Sequence, residues 1–302
     1  MGAPLGFRYV RSAQGEGDSS MVKRVTLGVL LLAGVGVAVL LFAFIEARSD
    51  PVVREARIAM RDWPEGAPPL RLVLVSDIHL GSPAMDGARL DRIVTQINAL
   101  DPDLVVIAGD FIFGHERGSA AMLGAGLPAS LARLDAPLGT VAALGNHDHW
   151  TGIAAVREQL ERAGVAVVEN GAIRRGPIVL GVVGDDFTRH DDIPATLAAM
   201  AELEGPQVVL SHSPDIAPEL PPEVALVLAG HTHCGQVVPP LIGPLVSVSR
   251  YGERYRCGVR REGGRLVVVT AGLGTSGPPL RMGAPPDLWL LTLVRPQSRA
   301  RR

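Results

Sequence analysis

The stretch ALVLAGHTHCGQ (225–236) ends an apolar run in a glycine and then sets His231 and His233 two residues apart. Side chains two apart on an extended chain share a face, so both imidazoles can serve a common metal site. Other apolar runs end in the same way. SDIHLG supplies Asp77 and His79, AGDF supplies Asp110, GNHDHW supplies Asn146 and His147, and SHSPD supplies His212. Any one of these alone reads as a turn or a cap. Together they offer oxygen and nitrogen donors with no thiolate required, a set that suits divalent ions better than a structural zinc.

Such donors need elements that deliver them to one place. The apolar runs are LRLVLVS (70–76), DLVVIAG (103–109), GTVAALG (139–145), GPIVLGVVG (176–184), PQVVLSH (206–212), VALVLAGH (224–231), RLVVVTAG (265–272) and LWLLTLV (288–294). Their composition predicts strands buried on both faces. Between them, residues 87–100 carry apolar side chains at Leu90, Ile93, Val94, Ile97 and Leu100, the spacing of one helix face, with Asp86 placed to cap it. Further helices are expected near 119–134, 152–163 and 193–203. The pattern is an α/β layered domain. In an α/β sheet, ligands bind at the carboxyl ends of the strands, where these Asp, Asn and His residues fall.

The formal net charge is −2, which gives a nucleic-acid partner no global electrostatic support. Residues 25–45, VTLGVLLLAGVGVAVLLFAFI, carry no charge. At 1.5 Å per residue about 20 residues cross a bilayer core. The run exceeds a signal-peptide core and offers no good cleavage site, so we expect an uncleaved anchor. Arginines flank it on both sides. The adjacent Lys23 and Arg24 lean toward a cytoplasmic N-terminus and an extracytoplasmic remainder. The expected organisation is a basic arm (1–24), a transmembrane anchor (25–45), a linker (46–69), one catalytic domain (70–294) and a basic tail (295–302).

The order D-x-H, G-D, G-N-H-D, a lone His, then G-H-x-H resembles the calcineurin-like metallophosphoesterases over residues 70–294. The flanking GNHDHWTG, SHSPD, GHTHCGQ and AGLGTSGPPLRMGAPPDLWLLTL look like bacterial membrane-anchored phosphodiesterases, relatives of the UDP-2,3-diacylglucosamine pyrophosphatases of lipid A synthesis. The resemblance implies a four-layer α/β sandwich preceded by one transmembrane helix. It implies two divalent ions, Mn2+, Fe2+ or Zn2+, with Mn2+ favoured. Asp77, His79 and His233 would bind one ion, Asn146, His212 and His231 the other, and Asp110 would bridge them. His147 would be catalytic, facing the phosphate and assisting the leaving group or stabilising charge. A hydroxide bridging the metals would then cleave a phosphodiester or pyrophosphate bond.

A lipid-linked or envelope substrate such as UDP-2,3-diacylglucosamine, a bacterial inner-membrane location and the absence of a nucleic-acid partner complete the expectation. An inactive metal-binding membrane scaffold or sensor, or a nuclease, are the alternatives.

Some residues stay open. GDFIFG lacks the acidic and basic residues that many family members carry after the bridging Asp, and Asp148 is the nearest carboxylate to His147. Thr275, Ser276 and Arg281 in GTSGPPLR are substrate-binding candidates. Arg281 is either a bidentate phosphate grip or a plain surface arginine. The stretch VVPPLIGPLVSV (237–248) reads as a buried hairpin or as a lip for a lipid substrate. The two cysteines, Cys234 and Cys257, allow one bridge. Cys234 also reads as a small filler or a redox-sensitive thiol.

Overall fold

The computed structural model describes Gly6 and residues 16–296, with no account of the side chains of 16–20. Most of the expected N-terminal arm before residue 16, and the tail beyond residue 296, lie outside the described residues. The chain divides into two units, Met1–Phe42 and Ala43–Arg302. The first is the greater part of a helix, α1 (Glu16–Ala47), whose segment Met21–Ala47 is long and apolar enough to cross a membrane. It contains the predicted span 25–45.

Among the described residues the second unit holds twelve strands. They are β1 (Val52–Ala59), β2 (Leu70–Val75), β3 (Leu104–Ala108), β4 (Thr140–Ala143), β5 (Ala166–Val167), β6 (Gly171–Arg175), β7 (Ile178–Val182), β8 (Gln207–Leu210), β9 (Leu226–Ala229), β10 (Gly258–Glu262), β11 (Arg265–Val269) and β12 (Asp287–Val294). They form two six-stranded sheets, ordered β1-β12-β2-β3-β4-β5 and β10-β11-β9-β8-β7-β6. β2, β3 and β4 run parallel in the first sheet, and β7, β8, β9 and β11 in the second.

Period-two alternation explains why the sheets stack. In β2, Leu72 and Leu74 enter the core between the sheets, whereas Val73 and Val75 face the opposite side. In β3, Leu104, Val106 and Ala108 point inward and Val105 and Ile107 outward. The outer face of the first sheet is covered by α2 (Gly87–Asn98), α3 (Ala120–Leu123), α4 (Leu127–Leu131) and α5 (Asn146–Arg162). The outer face of the second is covered by α6 (Ile193–Ala201) and a short turn of helix at Pro214–Glu219. This helix–sheet–sheet–helix order is the four-layer α/β sandwich. Each fully buried Leu or Val contributes roughly 1.5–3 kcal/mol, so the sheets form a stiff base for what their ends carry.

All eight predicted strands are present, and Asp86 caps α2 by accepting from the Arg89 amide at 2.8 Å. The expected helix near 152–163 begins earlier, at Asn146, and bends at Gly152, where φ is +132°. The linker assigned to 46–69 is corrected. Within it β1 pairs in parallel with β12 along its whole length. Its sequence, VVREARIA, mixes charged and apolar residues because it is an edge strand with a wet face, and such a composition resembles a tether.

Asp287 holds this corner together. It is fully buried and accepts from the Thr270 hydroxyl (2.6 Å), the Ala271 amide (2.7 Å) and Arg54 Nε of β1 (2.6 Å). We expect Asp287→Ala to lower the urea midpoint of the detergent-solubilised protein, the unfolding free energy falling by about 1–3 kcal/mol for each buried donor left unpaired. An unchanged midpoint would contradict that role.

Candidate metal centre

The donors converge because they sit just past the carboxyl ends of parallel strands in both sheets. Asp77, Asp110, His212 and His231 each lie two residues beyond β2, β3, β8 and β9, and Asn146 opens α5 just after β4. The chain has to turn sharply at each strand end to aim a side chain into the gap between the sheets. Asp77, His79, Asp110, His231 and His233 accordingly adopt left-handed backbone, with φ of +51°, +49°, +59°, +68° and +49°. Such geometry is costly for residues other than glycine, and it concentrates at functional sites. Gly145 shows how tight the floor is. A Cβ there would collide with the Asp110 carboxylate.

The geometry resolves into two neighbouring sets joined by Asp110. In the first, Asp77 Oδ1 lies 3.3 Å from His233 Nε2, which lies 3.3 Å from His79 Nε2. In the second, His212 Nε2 lies 3.0 Å from Asn146 Oδ1 and 3.1 Å from His231 Nδ1. Asp110 Oδ2 reaches both, 3.6 Å from His79 Nε2 and 3.3 Å from His212 Nε2. All seven side chains are buried. Asp77 Oδ1 and His231 Nε2 have no hydrogen-bond partner, whereas Asp77 Oδ2 accepts from Ser76 and from the His231 amide. A buried carboxylate oxygen left unpaired is costly unless a cation completes it. Fixed carbonyl contacts orient the rings. His212 Nδ1 donates to the Ala108 carbonyl at 2.6 Å, leaving Nε2 free to face the gap.

The electrostatics agree with a cation site. Burial pushes His79 and His231 down to about 3, and pushes His233 well below the usual imidazole range. These rings are neutral at physiological pH, the form that binds metal. Burial lifts Asp77 to about 6. Burial also pushes Asp110 upward, but His212 and His147 outweigh it and hold its carboxyl well below the usual range. His212 is the one ring driven up, against burial, by Asp110 and Asp77. The carboxylates thus demand positive charge at this point, and in the absence of an ion a proton on His212 supplies it. The donor set fits two divalent ions.

His147 stands beside this floor and lines a cavity of about 350 Å³ above it. Its Nδ1 lies 2.7 Å from the Gly114 carbonyl, and its Nε2 faces Ser276 Oγ at 3.3 Å. A backbone carbonyl therefore orients the ring. His147 is also close enough to His79 and Asp110 to complete a three-ligand group. Asp148 does not touch the His147 ring. Its carboxylate accepts the amides of Asp110 (2.9 Å), Phe111 (2.8 Å) and Gly145 (2.9 Å), clamping two donor-bearing loops together.

The substrate-binding candidates separate. Ser276 lines the cavity, but Thr275 is buried outside its lining. Arg281 is corrected on both expectations. It is fully buried, its guanidinium donates to the carbonyls of Ala271, Gly272, Gly274 and Ala284, and it backs His233 Nδ1 at 3.4 Å. A guanidinium spent on four carbonyls buttresses the loop and grips no phosphate. Cys234 is no free thiol: it is bonded to Cys257 across a Cα–Cα distance of 4.8 Å. Missed from the sequence were His115, Trp150, Phe187 and Gln236, all lining the cavity. None of the four belongs to a periodic apolar face, so nothing short of the fold marks these positions.

The chain is similar to known proteins over most of its length. The family model for calcineurin-like phosphoesterases matches residues 70–235. A transmembrane protein with a metallophosphoesterase domain from Danio rerio is 30% identical over 94% of this chain. The chain spans 65% of that relative's length. The metallophosphoesterase YkuE of Bacillus subtilis is 31% identical over 76% of this chain and 81% of its own. Among solved structures, a dimetal phosphatase from Danio rerio is similar at 14% identity, with a TM-score of 0.43, over 70% of this chain and 90% of that one.

The clamp by Asp148 is testable. Asp148→Asn turns an acceptor for three amides into a group with one donor face. We expect metal affinity to fall about 10–100-fold with the fold retained, as for other groups that orient ligands from behind. Titration of the metal-stripped variant measures it, and wild-type affinity would contradict the clamp.

Proposed function

The chain belongs to the calcineurin-like phosphoesterase family, and from that premise we propose that it hydrolyses phosphodiester or pyrophosphate bonds at a dinuclear site. The observation that carries this reading is the unpaired, fully buried Asp77 Oδ1 facing His233, beside an Asp110 carboxylate shared between two groups of donors. Asp77, His79 and His233 would hold one ion and Asn146, His212 and His231 the other, with Asp110 placed to serve both. Two divalent cations bound there supply charge neutralisation for a phosphate and acidify a water. Manganese is the first ion to assay, then iron and zinc, since this donor set suits all three.

The chain's own groups do the rest. Asp148 and the left-handed turns fix the donors before substrate arrives, so little reorganisation is needed during reaction. The Gly114 carbonyl accepts from His147 Nδ1–H, which aims Nε2 into the cavity; burial holds this ring below the usual imidazole range, so Nε2 gives a proton to the leaving oxygen only from the doubly protonated imidazolium. The Ser276 hydroxyl lines the same cavity and offers a polar contact to the rest of the substrate, while the Gln236 amide, bonded at both ends to the Ser276 backbone, fixes that loop. No protein nucleophile is required.

The helix Met21–Ala47 is the candidate anchor. We read the second unit as extracytoplasmic in a bacterial inner membrane, since the Cys234–Cys257 bridge suits an oxidising compartment. A tethered enzyme of this kind meets envelope substrates, and a lipid-linked phosphodiester or pyrophosphate fits it, UDP-2,3-diacylglucosamine among them. Protease digestion of intact spheroplasts should remove the second unit, and protection there would place it in the cytoplasm.

Hydrolysis of bis-p-nitrophenyl phosphate with Mn2+ tests the reaction. We expect turnover by the wild type. Asp110→Asn should lose activity together with both ions. His147→Ala should lower kcat about 10²–10⁴-fold with metal content near normal. Loss of an ion in His147→Ala would make His147 a ligand instead, and full activity in Asp110→Asn would overturn the bridging assignment.

A further inference from the structure

Residues 237–248 form neither a buried hairpin nor a flexible polar loop. They make an apolar lip at the mouth of the cavity. Leu245 and Val246 are 59% and 64% exposed, Ile242 is exposed, and Leu241 at the tip is fully exposed with a left-handed backbone (φ +67°). A leucine held in that conformation and in water is doubly unfavourable. The lip is nonetheless fastened. The Val238 amide donates to Met282 at 2.8 Å and the Leu245 amide to Val237 at 3.0 Å. Pro239, Pro240 and Pro244 remove the donors that would let it pair as a strand.

The lip is continuous with the metal floor. Leu245, Val246 and Val248 line the same cavity as Asp110, Asn146, His147, His231 and His233. Trp150 and Phe187 form another part of its wall, their rings 6.1 Å apart, and the Phe187 ring lies 4.9 Å from that of His231. At about 350 Å³ the cavity falls in the range that holds organic ligands, roughly 300–1,000 Å³. Its floor is polar and its outer walls are apolar. A small hydrophilic phosphoester would leave those walls wet. The chain also carries a candidate membrane span, which keeps amphiphiles within reach.

We infer that the outer half of this cavity is a subsite for a hydrocarbon chain, so that the substrate is an amphiphilic phosphoester. Its phosphate sits on the floor, and its chain lies against Leu245, Val246 and Val248 opposite Trp150 and Phe187. The inference rests on the phosphoesterase reading above and adds the apolar subsite to it.

The test uses the full chain in nanodiscs of fixed composition, with Mn2+. Methyl, butyl and octyl p-nitrophenyl phosphodiesters are compared below their micelle concentrations. In parallel, binding of methyl- and octylphosphonate is followed by tryptophan fluorescence. For the wild type, kcat/KM and phosphonate affinity should both rise with chain length, by up to about fourfold per methylene. In the double variant Leu245→Ser/Val246→Ser the octyl-to-methyl ratio should fall toward one, whereas Leu245→Met/Val246→Ile should keep it.

A flat wild-type series, or a serine variant that keeps the ratio, overturns the subsite. So does a nucleoside p-nitrophenyl diester that gains as much as the octyl ester. If octylphosphonate binds in preference to methylphosphonate through the lip but no diester is cleaved, the subsite stands and the phosphoesterase reading falls.

Discussion

Two carboxylates, Asp77 and Asp110, are buried among imidazoles at the meeting point of two sheets, and the rest of the structure is arranged around that concentration of charge. Removing one carboxylate from water costs several kcal/mol, and removing two that face each other costs more. Neutral His79, His231 and His233 cannot repay this by themselves. Only positive charge can, and the site draws it, as the raised affinity of His212 for a proton indicates. A pair of divalent ions would satisfy the same demand without that proton. The buried charge is therefore a reason for the site to bind metal tightly, and the apolar core between the sheets is what makes the burial enforceable.

The layout of strands follows from the need to aim donors from five loops at one gap. Parallel strands bring all their carboxyl ends to one side, and pairing two such sheets face to face brings two sets of ends together. Positive φ at five donor residues turns the loops after β2, β3 and β9 inward, beginning two residues past each strand. That strain is held by backbone contacts. The Asp77 amide donates to Gly109 and the His79 amide to Asp110, and Asp148 ties the Asp110 loop to the start of α5. Arg281 serves the same purpose on the far side, filling the space behind His233 with a guanidinium bound to four carbonyls.

Much of this was legible in the sequence, for identifiable reasons. β2, β3, β8 and β9 are buried on both faces, so each is a continuous apolar run, and the donors follow at fixed distance. Asp86 was legible because an N-cap is a local event. What stayed hidden was either edge or long-range. β1, β6 and β10 are edge or near-edge strands with mixed faces, and their arginines imitate loop composition. Arg281 in GTSGPPLR resembles a phosphate grip until its carbonyl partners, three of them seven to ten residues upstream, are known. The pairing of Cys234 with Cys257 depends on a turn that no spacing encodes. The exposure of 237–248 depends on what lies next to it, which hydropathy alone does not report.

The account stands or falls on whether the gap holds two ions. Elemental analysis by mass spectrometry on wild-type protein, loaded with Mn2+ and freed of excess by gel filtration, measures this without reference to any substrate. The account predicts two ions per chain. A stoichiometry of one, or protein that leaves the column metal-free, would contradict it.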